Sequence, residues 1–153
     1  MSNHLEAIQQ IMQALGPSTA EIDAIIQSEE TSWAVQLADE NVIVIEWADQ
    51  PPRLVMSATL GRPEEDARLA VYQTLLSYNF LWKDTGGVKA ALAGPTGEVV
   101  LLVDFHSNPL YEHEVRNLLL DFAQLTTVWM GYVRGGAGAE GVAAPTENIV
   151  LRA

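Results

Sequence analysis

The spacing of apolar residues divides the first third of the chain into helical and extended stretches. Apolar side chains recur every three or four positions over residues 3–15, which predicts an amphipathic helix. Gly16-Pro17 follows and is expected to end that helix. The next segment, 18–31, spaces its three isoleucines as a short second helix would. The spacing of this segment suits a short second helix, but the segment lacks a clear C-terminal signal and is not counted in the element order.

From Ser32 onward the apolar period changes from helical to alternating. Residues 32–37 alternate, residues 39–41 supply turn chemistry, and residues 42–47 are almost continuously apolar. Pro51-Pro52 interrupts the pattern before residues 54–60 resume it. This arrangement predicts a three-stranded antiparallel meander.

The second half of the chain predicts a helix, two strands and a long final helix. Pro63, followed by three acidic residues, is typical of a helix start. Strands are predicted over 88–93 and 98–105, and the final helix over 110–133. With the weak second helix set aside, the order is α-β-β-β-α-β-β-α, an α+β domain of residues 1–134 with an antiparallel sheet packed by helices. Residues 135–153 have the glycine-rich composition of a flexible tail.

Size and charge narrow the classes of partner. The chain has 153 residues, 48% hydrophobic and 18% charged, which suits one globular core. Twenty acidic residues against eight basic ones give a net charge of −12, a field that repels nucleic acid and anionic membrane surfaces. Without cysteine the chain has no disulfide and no thiolate metal site. We find no targeting or membrane-spanning segment and expect a cytoplasmic protein with no membrane insertion.

Candidate chemistry is sparse. The chain contains no phosphate-binding, dinucleotide-binding or esterase motif. The strongest cluster of polar groups surrounds the turn before the final helix, where histidine and carboxylate could meet. It comprises Asp104, His106, Glu112 and His113. A small α+β ligand-binding or metal-binding domain, or a hydrolase, built on these residues is therefore kept as the alternative function, while we expect no catalytic residue, metal or cofactor.

The predicted strand over 98–105 carries more apolar surface than one sheet face can bury. Its centre, residues 99–103, is apolar on both faces, and such a strand needs a cover on each side. In so small a domain a second subunit is a reasonable cover. An acidic, cysteine-free domain with spare apolar surface is expected to bind other polypeptides.

These patterns together resemble those of a known family. The shared parts are Leu5-x-x-Ile8-x-x-x-Met12-x-x-Leu15-Gly16, Leu75-Leu76-Ser-Tyr-Asn79, Gly87-Val-Lys-Ala-Ala-Leu92-Ala with Gly97-Glu-Val-Val-Leu101, and Val115-x-x-Leu118-Leu-x-x-Phe122 extending to Trp129. In their order, spacing and acidity they resemble the class I, or Tir-chaperone type, chaperones of bacterial type III secretion. The segment 18–31 is longer than is usual in that family.

The resemblance implies a virulence-associated chaperone that works without ATP. Such proteins form homodimers and bind the N-terminal segment of a cognate secreted effector in extended form, which keeps the effector soluble and export-competent. Carried over to this chain, the dimer interface would comprise Leu69, Tyr72, Leu75, Leu76, Phe80, Val100 and Leu102. The effector-binding groove would comprise Leu5, Ile8, Met12, Val35, Leu37, Val44 and Trp47.

Overall fold

The computed structural model describes residues 2–38, 40–95, 97–106 and 109–135. Helix α1 covers Ser2–Ser18, and four strands follow, β1 (Ile22–Glu29), β2 (Ser32–Leu37), β3 (Val42–Asp49) and β4 (Pro52–Gly61). Helix α2 (Arg68–Phe80), strands β5 (Lys89–Leu92) and β6 (Val99–Phe105), and helix α3 (Glu112–Gly135) complete the order. The glycine-rich tail predicted for 135–153 lies, beyond Gly135, outside the described residues.

All six strands form one antiparallel sheet, in the order β1-β2-β3-β4-β6-β5. This confirms the predicted α+β class and the antiparallel sheet packed by helices, with one strand more than predicted. The additional strand is β1, where a short helix was expected. That helix prediction was wrong because β-branched isoleucines favour a pleated strand and because pairing with β2 provides the partner that a local pattern cannot show.

Two helix boundaries also differ from their predictions. Helix α1 continues through Gly16 and Pro17 to Ser18. Helix α2 begins at Arg68 instead of Pro63, because the Ala67 N–H first closes a turn on the Glu64 carbonyl at 3.0 Å. Its three predicted N-terminal carboxylates therefore lie ahead of the helix and stay exposed.

The core lies between one face of the sheet and the helices. Alternate residues of β2, β3, β4 and β6 are buried there, and α3 packs across β4 while α1 packs against β1 and α3. Helix α2 packs beside β5 and is joined to α3 by Tyr78, whose ring meets that of Trp129 edge-on at 4.8 Å. The Tyr132 hydroxyl adds a hydrogen bond of 2.9 Å to Thr74 Oγ1. These contacts fix α2 at the β5 side of the sheet.

Candidate functional site

The fold leaves several apolar or partly apolar surfaces incompletely covered, and three of them lie at the β1 edge, on the sheet and on helix α2. We call them the edge groove, between α1 and β1; the outer face, on the side of the sheet away from the core; and the α2 stripe, on the exposed side of helix α2. Within the described part of the chain, no helix has the length and apolar character needed to cross a bilayer. Exposed apolar surfaces of this kind are typical of sites that bind protein partners or other apolar ligands.

The edge groove runs beside a free sheet edge. Among the strands of the described residues, β1 is the terminal one and pairs only with β2, so within that part of the chain its other side presents backbone groups with no neighbouring strand. The groove has a volume of about 420 Å³. Gly16 faces Ile25 across it: a Cβ built at Gly16 would lie 3.6 Å from Ile25 Cδ1, an ordinary van der Waals distance. Its lining comprises Met12, Gln13, Gly16, Pro17, Ile22, Asp23, Ala24, Ile25, Gln27 and Trp33.

The opposite edge of the sheet is closed. The backbone of Ala90 in β5 is bonded at both polar groups by the side chain of Asn79 in α2: the Asn79 Nδ2 group donates to the Ala90 carbonyl at 3.1 Å, and the Ala90 N–H donates to Asn79 Oδ1 at 2.8 Å. The side-chain carboxamide of Asn79 thus makes the two hydrogen bonds that a neighbouring strand would make to Ala90. An extended peptide can therefore add to the sheet at β1 more readily than at β5.

The outer face carries a row of side chains across the strands that is apolar except for Ser57 and Lys89. The strand register aligns these residues on one face, from β1 through to β5. All are half-buried or exposed, and Ile26 is 61% exposed. The row comprises Ile26, Ala34, Val44, Ser57, Leu102 and Lys89.

The α2 stripe is the most exposed apolar surface of the described chain. Leu69, Leu76 and Phe80 are 71%, 70% and 84% exposed, and Tyr72 lies between them, half-buried. Their spacing of three or four residues places them along one side of the helix. The opposite side of α2 buries Val71, Leu75 and Tyr78, so the helix has two apolar sides of which its own subunit covers one.

The predicted dimer residues fall into three places. Leu69, Tyr72, Leu76 and Phe80 make up the α2 stripe, while Leu75 is buried on the inner side of α2 and also borders the cleft between α2 and β5. Val100 and Leu102 are half-buried on the outer face.

The predicted effector-binding residues lie mostly in the core. Five are buried: Ile8, Met12, Val35, Leu37 and Trp47. Of these, Met12 lines the edge groove. Leu5 is half-buried on α1, and Val44 belongs to the outer face. The sequence pattern missed Ala24, Ile25, Ile26 and Gln27 because their segment was interpreted as helical; the β-branched side chains of Ile25 and Ile26 were the available signal.

The four residues of the alternative function do not converge. Asp104 lies on the outer face, paired with Arg53 at 3.5 Å. Glu112 accepts hydrogen bonds from Ser18 and Arg116, while His113 stacks on Tyr111 at 5.7 Å and His106 is exposed. Among the described residues, no group of three or more histidine, aspartate or glutamate side chains could hold a metal ion.

Comparison with known proteins agrees with this architecture. No curated protein is similar enough in sequence to count as a match. A chain in the structure of the HopA1-SchA chaperone-effector complex superposes with a TM-score of 0.67 at 11% identity, covering 84% of this chain and 96% of that chain. A chain in the crystal structure of the ExsC-ExsE complex gives 0.63 at 14% identity, covering 86% and 97%.

These two structures share the fold. The sequence itself matches the model of the Tir chaperone protein (CesT) family over residues 7–130, a range that includes every described strand, all of α2 and most of α1 and α3. The chain therefore belongs to the Tir chaperone (CesT) family.

Proposed function

We propose that this protein is a non-catalytic chaperone of type III secretion, acting in the bacterial cytoplasm as a homodimer. It binds the N-terminal segment of a cognate effector and keeps that effector soluble and export-competent. The observation that carries the proposal is the set of three open apolar surfaces on a fold of the CesT family. One of the similar structures is itself a chaperone-effector complex.

The α2 stripe is proposed as the dimer interface. An exposed phenylalanine and two exposed leucines on one side of a helix are costly to leave in water, and an isologous two-fold contact covers the same stripe on both copies. The apolar cleft between α2 and β5, about 160 Å³ and lined by Tyr72, Leu76 and Leu92 among others, extends this surface onto the sheet. We expect Val100 and Leu102 to contribute at its margin.

The edge groove and the outer face are proposed as the effector-binding surfaces. An extended effector segment can pair with the free edge of β1 through backbone hydrogen bonds, while alternate side chains enter the groove beside Met12 and Ile25. The outer face gives a second apolar surface next to the same strand, including Val44 and Ile26. Of the predicted effector-binding residues, Leu5, Met12 and Val44 are those with a place on these surfaces, and the buried members support them from beneath.

The test combines mass measurement with capture of the client. The chain is expressed with a C-terminal tag in the bacterium that encodes it, captured under secretion-inducing conditions, and analysed by light scattering and peptide sequencing. We expect two copies of the chain per effector, with the effector's N-terminal segment protected from protease. A monomer that captures no stoichiometric polypeptide, or an effector whose stability and export survive deletion of that segment, would contradict the proposal.

A further inference from the structure

Charge is distributed very unevenly along the chain. Residues 1–52 contain nine acidic residues and no lysine or arginine, and all eight basic residues occur from Arg53 onward. In the fold, residues 1–52 form α1, β1, β2 and β3, the half of the sheet that includes the edge groove. A segment docked at the free edge of β1 therefore meets a surface whose formal charges all have one sign.

The acidic residues nearest the groove lie at the two ends of β1. Glu21 and Asp23 flank its beginning, and Glu29 and Glu30 flank its end, all exposed. The apolar part of the strand lies between them. Pairing of β1 with β2 is regular only over Ala24–Gln27, with register shifts on either side. The regularly paired centre of the edge is thus four residues long, three of them apolar and the fourth Gln27, with carboxylates beyond both ends.

One basic side chain reaches the end of α1, and it is already paired. Arg116 of α3 reaches the end of α1, where its Nε donates to Thr19 Oγ1 at 3.0 Å and an Nη group donates to Ser18 Oγ at 2.9 Å. The same guanidinium is paired with Glu112. Among the described residues that line the groove, Asp23 is the only charged one.

We infer that the edge groove selects client segments in which a short apolar centre has lysine or arginine on both sides. This inference rests on the proposed function. An eight-residue strand is about 26 Å long, so the two acidic ends lie farther apart than the Debye length of about 10 Å at about 0.1 M salt. Each end therefore attracts its own basic residues. Because both ends are acidic, charge sets the position of the client on β1 but not its direction.

Synthetic peptides test this selection directly. Two fluorescently labelled peptides share one centre, Val-Thr-Val-Ser-Val; one has two lysines at each end and the other has two serines at each end. Affinity for the full chain is measured by anisotropy. We expect the lysine-flanked peptide to bind at least about tenfold more tightly at about 50 mM salt, and this preference to fall to about twofold or less at about 500 mM salt.

A charge-neutralised variant and a matched control locate the effect. The groove variant combines Glu21→Gln, Asp23→Asn, Glu29→Gln and Glu30→Gln. The control removes the same number of exposed charges elsewhere, through Glu64→Gln, Glu65→Gln, Asp66→Asn and Asp84→Asn. We expect the groove variant to lose the preference for lysine and the control to keep it. Loss of the preference in both variants would overturn the inference, because net charge alone would then explain it.

The remaining outcomes separate this inference from the proposed function. If both peptides bind wild type equally and Ile25→Asp abolishes both, the groove binds polypeptide but does not read charge, so the inference fails and the proposed function stands. If neither peptide binds, the inference fails together with the edge groove as a client site. The measured oligomeric state and the effector-capture experiment then test the proposed function independently of this inference.

Discussion

The side-chain amide of Asn79 holds both backbone polar groups of Ala90, with hydrogen bonds of 2.8 and 3.1 Å. This contact joins the end of α2 to the edge strand β5. We expect Asn79→Ala to lower the free energy of unfolding by about 1–3 kcal/mol, because the partly buried amide and carbonyl of Ala90 lose their partner. Urea denaturation measures the change. Gln73→Ala, on the exposed side of α2, is the control and should cost less than about 0.5 kcal/mol.

Charge on the α2 stripe is expected to separate the proposed dimer. Leu76→Asp with Phe80→Asp places two carboxylates where apolar side chains would meet their copies, so light scattering should report the mass of one chain. Circular dichroism should remain unchanged, since both side chains are exposed in the single subunit. Val128→Asp, on an exposed position of α3, should leave the dimer intact. A double variant that stays dimeric would place the interface elsewhere.

Ile26 tests the outer face separately from the edge groove. Its side chain is 61% exposed but lies within β1, so Ile26→Asp should lower the free energy of unfolding by about 1 kcal/mol or less, the span of strand propensities. If the client lies on this face, affinity for the captured effector segment should fall by about tenfold, which corresponds to about 1.4 kcal/mol. Titration by calorimetry gives both affinities. Unchanged affinity would restrict client binding to the groove side of β1.

The buried hydroxyl of Tyr78 makes the stability of the fold decrease at alkaline pH. Burial raises the pKa of its hydroxyl above the usual value of 10.0, and the neighbouring Trp129 indole lowers it by less. Above about pH 10 the unfolded chain therefore releases a proton that the folded chain still holds, and stability falls as pH rises. Tyr78→Phe should lose less unfolding free energy than wild type between about pH 8 and about pH 11. Tyr111→Phe, at an exposed position, should lose as much as wild type.

Position 61 requires glycine for two reasons, its backbone conformation and the nearby side chain of Arg134. Its φ of +94° is left-handed, and a Cβ there would lie 2.6 Å from Arg134 Nε, which donates to the Leu60 carbonyl at 3.1 Å. Gly94 has the same φ but nothing within 4 Å of a built Cβ. Gly94→Ala should therefore cost about 1–2 kcal/mol from backbone strain alone, and Gly61→Ala should cost more. Thermal unfolding of the two variants measures the difference; equal costs would mean that Arg134 simply moves aside.

Strong local patterns predicted most of the fold. The alternation in 32–37 and the long helical period of α3 were sufficient, because a half-buried strand and an amphipathic helix each repeat their signal several times. The segment that forms β1 was not predictable in this way: its isoleucines fit either element, and the pairing with β2 that decides between them is a tertiary contact. The α2 stripe was predictable only through the family resemblance, since periodicity marks apolar positions without showing which side of a helix the subunit covers.

The unequal edges of the sheet set the length of polypeptide that the assembly can hold. In the proposed dimer the closed β5 edges face the two-fold axis beside α2, and the open β1 edges lie at the two far ends. Five strand spacings separate the edges within each subunit, so the two open edges are about 50 Å or more apart. One client that engages both must contribute at least about fifteen extended residues between them. A single extended stretch of that length exceeds the usual strand of a globular domain, so the proposed dimer would favour a client that is unfolded over at least that many residues.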